Sequence, residues 1–374
     1  VSAKKNGILI EALNNIETIK TMRMNGKIQW NWEEAVGEIA HKNLKTRMLS
    51  SLIPNITNLL IQLNTVFVVV VGVFLIQKFE LTMGGLIAVV ILTSRTVAPM
   101  GQAAALITNY SDAKNSYDVL NSIITKPVER PSAKQFLTRP NMVGKIEFKD
   151  VSFTYPNADI PALQNVSFII NPGEKVGFIG KIGSGKSTIA KLILKLYEPT
   201  SGSILIDDID ISQIDPADLR RFMGYVPQEV HLFMGTIKEN IISSDRHPHD
   251  EDVIKASYIS GADDFIHAHP RGYDMLVGER GTGLSGGQKQ SVGIARALLQ
   301  DSSVILMDEP TNAMDQGSEN IILNRLKPEI ADKTFLLITQ KLSMLELCDR
   351  VIVMHKSKVF LDGEKDKVLK QLNG

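Results

Sequence analysis

The chain has 374 residues, long enough for two or three domains, and its 41 Lys+Arg against 41 Asp+Glu give a formal net charge of zero. No global field favours an acidic substrate or nucleic acid, which is therefore not an expected partner. The single cysteine, Cys348, excludes an intrachain disulfide framework and, placed after Leu347, reads as a small buried hydrophobe without a chemical role.

The sequence opens at Val1 with no charged-then-apolar leader, so no signal peptide is expected and the chain reads as a piece of something longer. In "ILIEALNNIETIKTM" the residues Leu9, Leu13, Ile16, Ile19 and Met22 fall at three- and four-residue steps, which predicts an amphipathic helix outside the bilayer. Something must cover its apolar stripe. Trp30 and Trp32 either anchor at a membrane interface or cover that helix, and their position favours the second.

From Leu59 to Ile76 the text reads "LLIQLNTVFVVVVGVFLI", and with the preceding "SSLIPNITN" it reaches the roughly 20 residues that a bilayer core requires. The polar interruption at 77–80 is short enough only for a tight reversal. A second apolar run, "LTMGGLIAVVILTSRTVAPMGQAAALITNY", follows, in which Gly84, Gly85 and the alanines allow close helix packing. The prediction is a transmembrane hairpin in membrane lipid, with spans at about 52–76 and 83–108. The alternative, a pair of core helices in a soluble bundle, would have to bury a valine-rich stretch on every side.

Lys4, Lys5, Lys20, Arg23, Lys27, Lys42, Lys45 and Arg47 precede the hairpin, whereas its tip carries only Lys78 against Glu80. The flank is thus expected in the cytoplasm and the tip outside. Arg95, inside the second span, either faces a bundle interior or wet path or pairs with a span not present here. Two spans cannot enclose a route across a bilayer, so further helices or partner chains are expected.

Three prolines in "TKPVERPSAKQFLTRPNMVG" predict a linker at 126–143, which separates a helical part, 1–125, from an α/β part, 144–374. "KIEFKDVSFTY" alternates as a half-buried strand, "NPGE" at 171–174 is a type II turn, and "KVGFIG" is a short buried strand. "SVILMDEP" and "KTFLLIT" are further buried strands, each followed by a helical stretch. This alternation predicts a parallel sheet packed on both faces.

"GKIGSGKST" follows the strand that ends at Ile179 and precedes the apolar helix "IAKLILKLY". It comprises Gly180, Lys181, Ile182, Gly183, Ser184, Gly185, Lys186, Ser187 and Thr188. Its glycines let successive N–H groups aim at one point, where the helix N-terminus adds its positive dipole end, and that point suits phosphate. Lys186 supplies a point charge to the outer phosphates and the Ser187 hydroxyl can bind Mg²⁺. "SVILMDEP" carries Asp308 to the sheet edge, where it can hold the Mg²⁺ shell, with Glu309 placed as a base that orients water. Adjacent acids after a strand also cap helices, but Pro310 and the cradle favour nucleotide hydrolysis. In "LSGGQKQSVGIARALL", 284–299, a small-residue turn leads into a helix and aims the Ser285 hydroxyl outward as a second anion site, unless it is a plain helix start. "HPH" (247–249) and "HAH" (267–269) lack cysteine partners and helix spacing, and read as surface loops rather than metal sites.

"LSGGQ" ahead of "MDEP" and behind "GSGKST" resembles the nucleotide-binding domain of ABC transporters. The fold class this implies is an α-helical transmembrane segment followed by an α/β P-loop NTPase. The resemblance makes Tyr155 in "SFTYP" the residue that stacks on adenine, and Gln228 in "YVPQ" the link between metal site and membrane domain. It makes Asp315 in "NAMD", with Ser285, Gly286, Gly287 and Gln288, a set that meets ATP held by the opposite subunit.

The likeness extends over the whole chain: "KNGILIEALNNIETIKTM" is similar to the last coupling helix of an exporter, and the hairpin to its fifth and sixth transmembrane helices. The first four helices and an amino-terminal domain are expected outside this sequence. "KPVERP", "IDPADLRRFMGYVPQ" and "VGERGTGLSGGQ" are most similar to bacterial type I secretion ATPases that export large adhesins and toxins. That subgroup implies a homodimer in the inner membrane with its nucleotide-binding domain in the cytoplasm. It also implies ATP and Mg²⁺, a polypeptide substrate, a periplasmic adaptor and an outer-membrane channel. An exporter of peptides, lipids or drugs, or a gating module with weak hydrolysis, fits the same motifs; a soluble DNA-repair ATPase conflicts with the hairpin. One departure stands out. At the end of "FLLIT" the family carries histidine and this chain carries Gln340, which either slows hydrolysis or merely caps the sheet edge.

Overall fold

The computed structural model describes residues 2–131, 134–139, 141–242 and 248–373, which form two compact units, Val1–Pro127 and Val128–Gly374. The first is helical: α1 (Ser2–Asn14), α2 (Ile16–Thr21), α3 (Asn25–Gln77) and α4 (Met83–Ile124). The amphipathic helix expected over residues 8–22 is broken at Asn15, so of its stripe only Ile19 is buried while Leu9, Leu13, Ile16 and Met22 stay exposed. Trp32 lines an apolar hollow with Ile8, Leu9 and Ile19. Trp30, by contrast, is 69% exposed.

At 53 residues α3 is about 80 Å long, far beyond the roughly 30 Å of a bilayer core. Within it Asn55–Gln77, with mean hydropathy 2.6, is the one stretch among the described residues long and apolar enough to span a membrane. The described apolar part of α4 is shorter, Met83–Thr96, and the side chains over 101–109 of the expected second span lie outside the described set. The reversal after Gln77 is tight, with Phe79 at φ 58°, and Thr82 caps α4 by accepting a 3.1 Å hydrogen bond from the Gly85 N–H. The close approach of α3 and α4 lies at Gly72, where a Cβ would sit 2.3 Å from Leu86 Cδ1. Of the glycines the sequence named for close packing, Gly84 faces open space and Gly85 meets Leu81 and Thr82, its own chain neighbours.

In the second unit the proline-rich segment is fastened along the domain. Arg130 pairs with Asp215 at 2.5 Å, Glu129 with Arg220, and Leu137 bridges Ile214 while donating to the Gln213 carbonyl at 2.8 Å. The N–H groups of Val143, Gly144 and Lys145 then converge on the Asp207 carboxylate at 2.8, 3.0 and 2.9 Å. The elements that follow are β1 (Ile146–Phe153), β2 (Leu163–Ile170), β3 (Lys175–Gly180), α5 (Lys186–Ile193), β4 (Ser201–Ile206), β5 (Ile209–Asp210), α6 (Pro216–Arg221) and β6 (Met223–Val226). After them come β7 (Gly235–Thr236), α7 (Ile237–Ile241), α8 (Asp250–Ile259), α9 (Asp263–Ala268), β8 (Leu276–Val277), α10 (Gly286–Leu299), β9 (Val304–Asp308) and α11 (Gln316–Glu329). The chain closes with β10 (Thr334–Ile338), β11 (Arg350–His355), β12 (Lys358–Glu364) and α12 (Lys365–Asn373).

Six strands form one sheet in the order β12-β11-β3-β10-β9-β6, parallel except at the β12 edge. β9 and β10 are buried at every position, which is why both read as unbroken apolar runs. A second, antiparallel sheet, β2-β1-β4-β5, packs its alternate residues inward, and Phe168 joins the layers by stacking on Phe148 at 4.5 Å and meeting Phe178 edge-on at 5.5 Å. "NPGE" forms its turn, with Gly173 at φ 75° and the Glu174 N–H on the Asn171 carbonyl at 3.1 Å. Cys348 is buried and its thiol is pushed up to about 12 by burial. Strand register brings the chemistry together. Ile338 pairs with Phe178 on one side and Asp308 on the other, so the segments after β3, β9 and β10 emerge at one sheet edge.

Candidate functional site

The loop from Gly180 to Gly185 leaves β3 through three left-handed glycines, Gly180, Gly183 and Gly185, at φ 145°, 79° and 97°. Two of them are fixed by space as well. A Cβ on Gly180 would lie 2.1 Å from the Met354 carbonyl oxygen and one on Gly185 2.4 Å from that of Ala162. Gly185 caps α5, and the next residue, Lys186, curls its ammonium back to donate to the Gly180 and Lys181 carbonyls at 2.7 and 3.0 Å. Burial lowers the Lys186 pKa while the charges of Glu309 and Asp308 oppose that shift. The Tyr155 hydroxyl lies 3.1 Å from Thr188 Oγ1, and its ring is held edge-on by Phe153 and Tyr197 at 4.8 and 5.2 Å.

Asp308 ends β9 with 2% of its surface exposed and with Oδ1 lacking a hydrogen-bond partner among the described residues. Burial raises its pKa, and the neighbouring Ser187 hydroxyl and Lys186 draw it back down. Ser184 Oγ of the glycine loop is likewise buried without a partner among the described residues. An unpaired carboxylate oxygen at such depth is costly unless something fills its coordination, and the Asp308 carboxylate with the Ser187 hydroxyl is oxygen chemistry suited to Mg²⁺.

Glu309 follows at φ 50°, a strained conformation for a residue with a side chain. Its N–H donates to the Ile338 carbonyl at 2.8 Å, which holds the bend against β10. Gln340 sits directly across, and its Nε2 donates to Glu309 Oε1 at 2.9 Å. Tyr155, Ile182, Gly183 to Thr188, Gln228, Glu309 and Gln340 line one cleft of about 620 Å³.

The remaining residues singled out by the sequence lie elsewhere. Ser285 caps α10 by accepting from the Gln288 N–H at 3.2 Å, and Gln288 Oε1 returns the contact to the Ser285 N–H at 2.9 Å. Asp315 caps α11 through the Ser318 N–H at 3.0 Å, and hydrogen bonds from Ser318 hold its carboxyl below the usual range. Ser285, Gly287, Gln288 and Asp315 line a separate hollow of about 260 Å³. Gly286 and Gly287 there let Ala313 approach, to 3.0 and 3.1 Å of a built Cβ. The expected residues thus divide into two groups on one chain.

Sequence reading passed over Gln290. Only 5% exposed, it donates through Nε2 to the Glu309 carbonyl at 3.3 Å and accepts from the Ala313 N–H at 2.9 Å. Its spacing with buried Ile294 and Ala297 on α10 was the available signal, since it places an amide on the inward face. Of the histidine motifs, His247 lies outside the described residues and His267 pairs with Asp263 at 2.7 Å.

Residues 2–100 match the family model of the ABC transporter transmembrane region, and residues 163–312 match that of the ABC transporter. The chain belongs to the ABC transporters. Leukotoxin translocation ATP-binding protein LktB of Mannheimia haemolytica is 34% identical over 373 residues, which is 100% of this chain and 52% of LktB. LktB of Bibersteinia trehalosi gives the same figures. The chain therefore spans about half the length of the curated relatives it matches. A solved bacterial Atm1-family ABC exporter with ATP bound superposes with a TM-score of 0.87 at 28% identity, over 99% of this chain and 66% of that one. The architecture is that of an ABC transmembrane region followed by an ABC nucleotide-binding domain.

Proposed function

We propose that this chain is the carboxy-terminal part of an ABC exporter that hydrolyses ATP as a homodimer and moves a polypeptide across the bacterial inner membrane. The separation of its two residue groups carries the reading: a phosphate cradle with Glu309 lines one cleft, and Ser285, Gly287, Gln288 and Asp315 another. Neither group alone surrounds a nucleotide. Two copies related by a two-fold axis supply both halves twice.

In this reading adenine stacks on Tyr155, the N–H groups of residues 180–188 and Lys186 hold the phosphates, and Ser285 to Gln288 with Asp315 close from the partner copy. Ser187, Gln228 and Asp308 hold Mg²⁺, which when bound neutralises charge on the phosphate oxygens. Glu309 orients water for attack. Gln228 and the amino-terminal helix pass closure to the membrane helices. Similarity to a leukotoxin translocation protein supports a polypeptide cargo, and with it a periplasmic adaptor, an outer-membrane channel and a cytoplasmic nucleotide-binding domain.

The full-length protein in proteoliposomes tests this. An unfolded polypeptide should stimulate ATP hydrolysis and enter the lumen; stimulation by lipids or drugs alone would make it an exporter of another class.

Turnover is expected to be slow. Gln340 keeps one N–H donor on Glu309 but cannot become cationic or pass a proton as imidazole can. Gln340→His should raise phosphate release by about 10- to 100-fold, equivalent to about 1.4 to 2.7 kcal/mol of transition-state stabilisation, with ATP affinity unchanged. Equal rates would mean that the amide fully replaces the ring.

A further inference from the structure

Glu319, in the first turn of α11, is 2% exposed, yet it carries no part of the chemistry described so far. A carboxylate buried to that extent is costly unless it is fully paired. Its partners come from two loops. Thr311 Oγ1 donates to Oε2 at 2.8 Å from the segment after β9, and Lys341 Nζ donates to the same oxygen at 2.6 Å from the segment after β10. The Ser343 hydroxyl donates to Oε1. The Lys341 ammonium completes the link by donating to the Thr311 carbonyl at 2.8 Å. Burial works against the charge on Glu319, but these hydrogen bonds outweigh it and hold the carboxyl below its ordinary value.

Capping does not explain the residue, because Asp315 already performs that task for α11. What the two loops share is their cargo. Thr311 stands two residues after Glu309, and Lys341 stands next to Gln340. The 2.9 Å contact between Gln340 and Glu309 joins loops from two different strands, so its length depends on how these are held to one another.

We propose that Glu319 is a positioning residue: through Thr311, Lys341 and Ser343 it clamps the loop of Glu309 to the loop of Gln340 and sets their contact. A charged clamp suits this place because both loops offer donors and Glu319 offers only acceptors, so the cluster has no second arrangement of equal quality. Side chains that only filled space there would leave the two loops free to slide. The proposal rests on ATP hydrolysis and not on the identity of the cargo, so basal hydrolysis without substrate measures it even if the export reading fails.

The test is Glu319→Gln in the full-length protein, which keeps shape and removes charge, made in the parent and in a Gln340→Ala background. In the parent, kcat should fall about tenfold while KM for ATP stays within about twofold, since binding is untouched. In the Gln340→Ala background the same substitution should cost no more than about twofold, because the contact it serves is already gone. An equal loss in both backgrounds, or a rise in KM with kcat intact, would reduce Glu319 to a structural residue and overturn the proposal. Should Glu319→Gln fail to bind ATP at all, Lys341→Arg against Lys341→Met decides in the same two backgrounds. A loss of kcat confined to Lys341→Met in the parent supports the clamp; losses that ignore residue 340 sink it.

Discussion

Glu309→Gln should lower ATP hydrolysis by about 10²- to 10⁴-fold and leave ATP binding intact. The substitution exchanges one carboxylate oxygen for an NH₂ group and keeps the other oxygen, so the side chain can still accept from Gln340 Nε2 as Glu309 does at 2.9 Å. The strained backbone at φ 50° and its N–H bond to Ile338 are unaffected. Asp308 also stays in place, so the metal site survives. What disappears is the carboxylate proposed to order and polarise water. An ATP-bound dimer of this variant should therefore persist long enough to isolate by size exclusion, while phosphate release collapses. Hydrolysis at the parent rate would assign water activation to another group.

A second large effect is expected at Lys186. Lys186→Ala removes the buried ammonium that holds the Gly180 and Lys181 carbonyls at 2.7 and 3.0 Å and faces the charges of Asp308 and Glu309. Loss of one charge-assisted contact to phosphate costs about 1.5 to 3 kcal/mol, or about 10- to 150-fold in ATP affinity. Transport should stop with it. Titration with a fluorescent nucleotide measures the affinity, and an unchanged Kd with normal turnover would remove Lys186, and the cradle with it, from the site. The two variants separate binding from chemistry, because one loses nucleotide and the other keeps it.

The parts of this structure that could be read from sequence are those whose cause is local. A short apolar run bounded by polar turn residues reads as a buried strand, as in β9 and β10, and left-handed glycines mark a loop by their own backbone freedom. The helix break at Asn15 had no such mark, since the apolar steps continue through it. The length of α3 was hidden for a related reason: Asn25 to Ile53 is polar on most faces, and only the membrane portion carries a strong composition signal. The proline-rich segment looked detached because its anchors, Asp207, Asp215 and Arg220, lie more than 60 residues ahead. Gln290 and Glu319 escaped notice because a polar residue on a helix is ordinarily read as facing water. The burial of Glu319 follows from contacts with two loops that no periodicity encodes, whereas Gln290 shares the inward face of α10 with Ile294 and Ala297.

The bond from Gln290 to the Glu309 carbonyl has a consequence for the dimer. In the proposed two-fold pair the nucleotide met by one chain's α10 would not be the one over which the same chain's Glu309 orients water, yet Gln290 joins that helix to that residue at 3.3 Å. Any pull on α10 would thus reach the backbone of Glu309 through a single amide two residues beyond "LSGGQ".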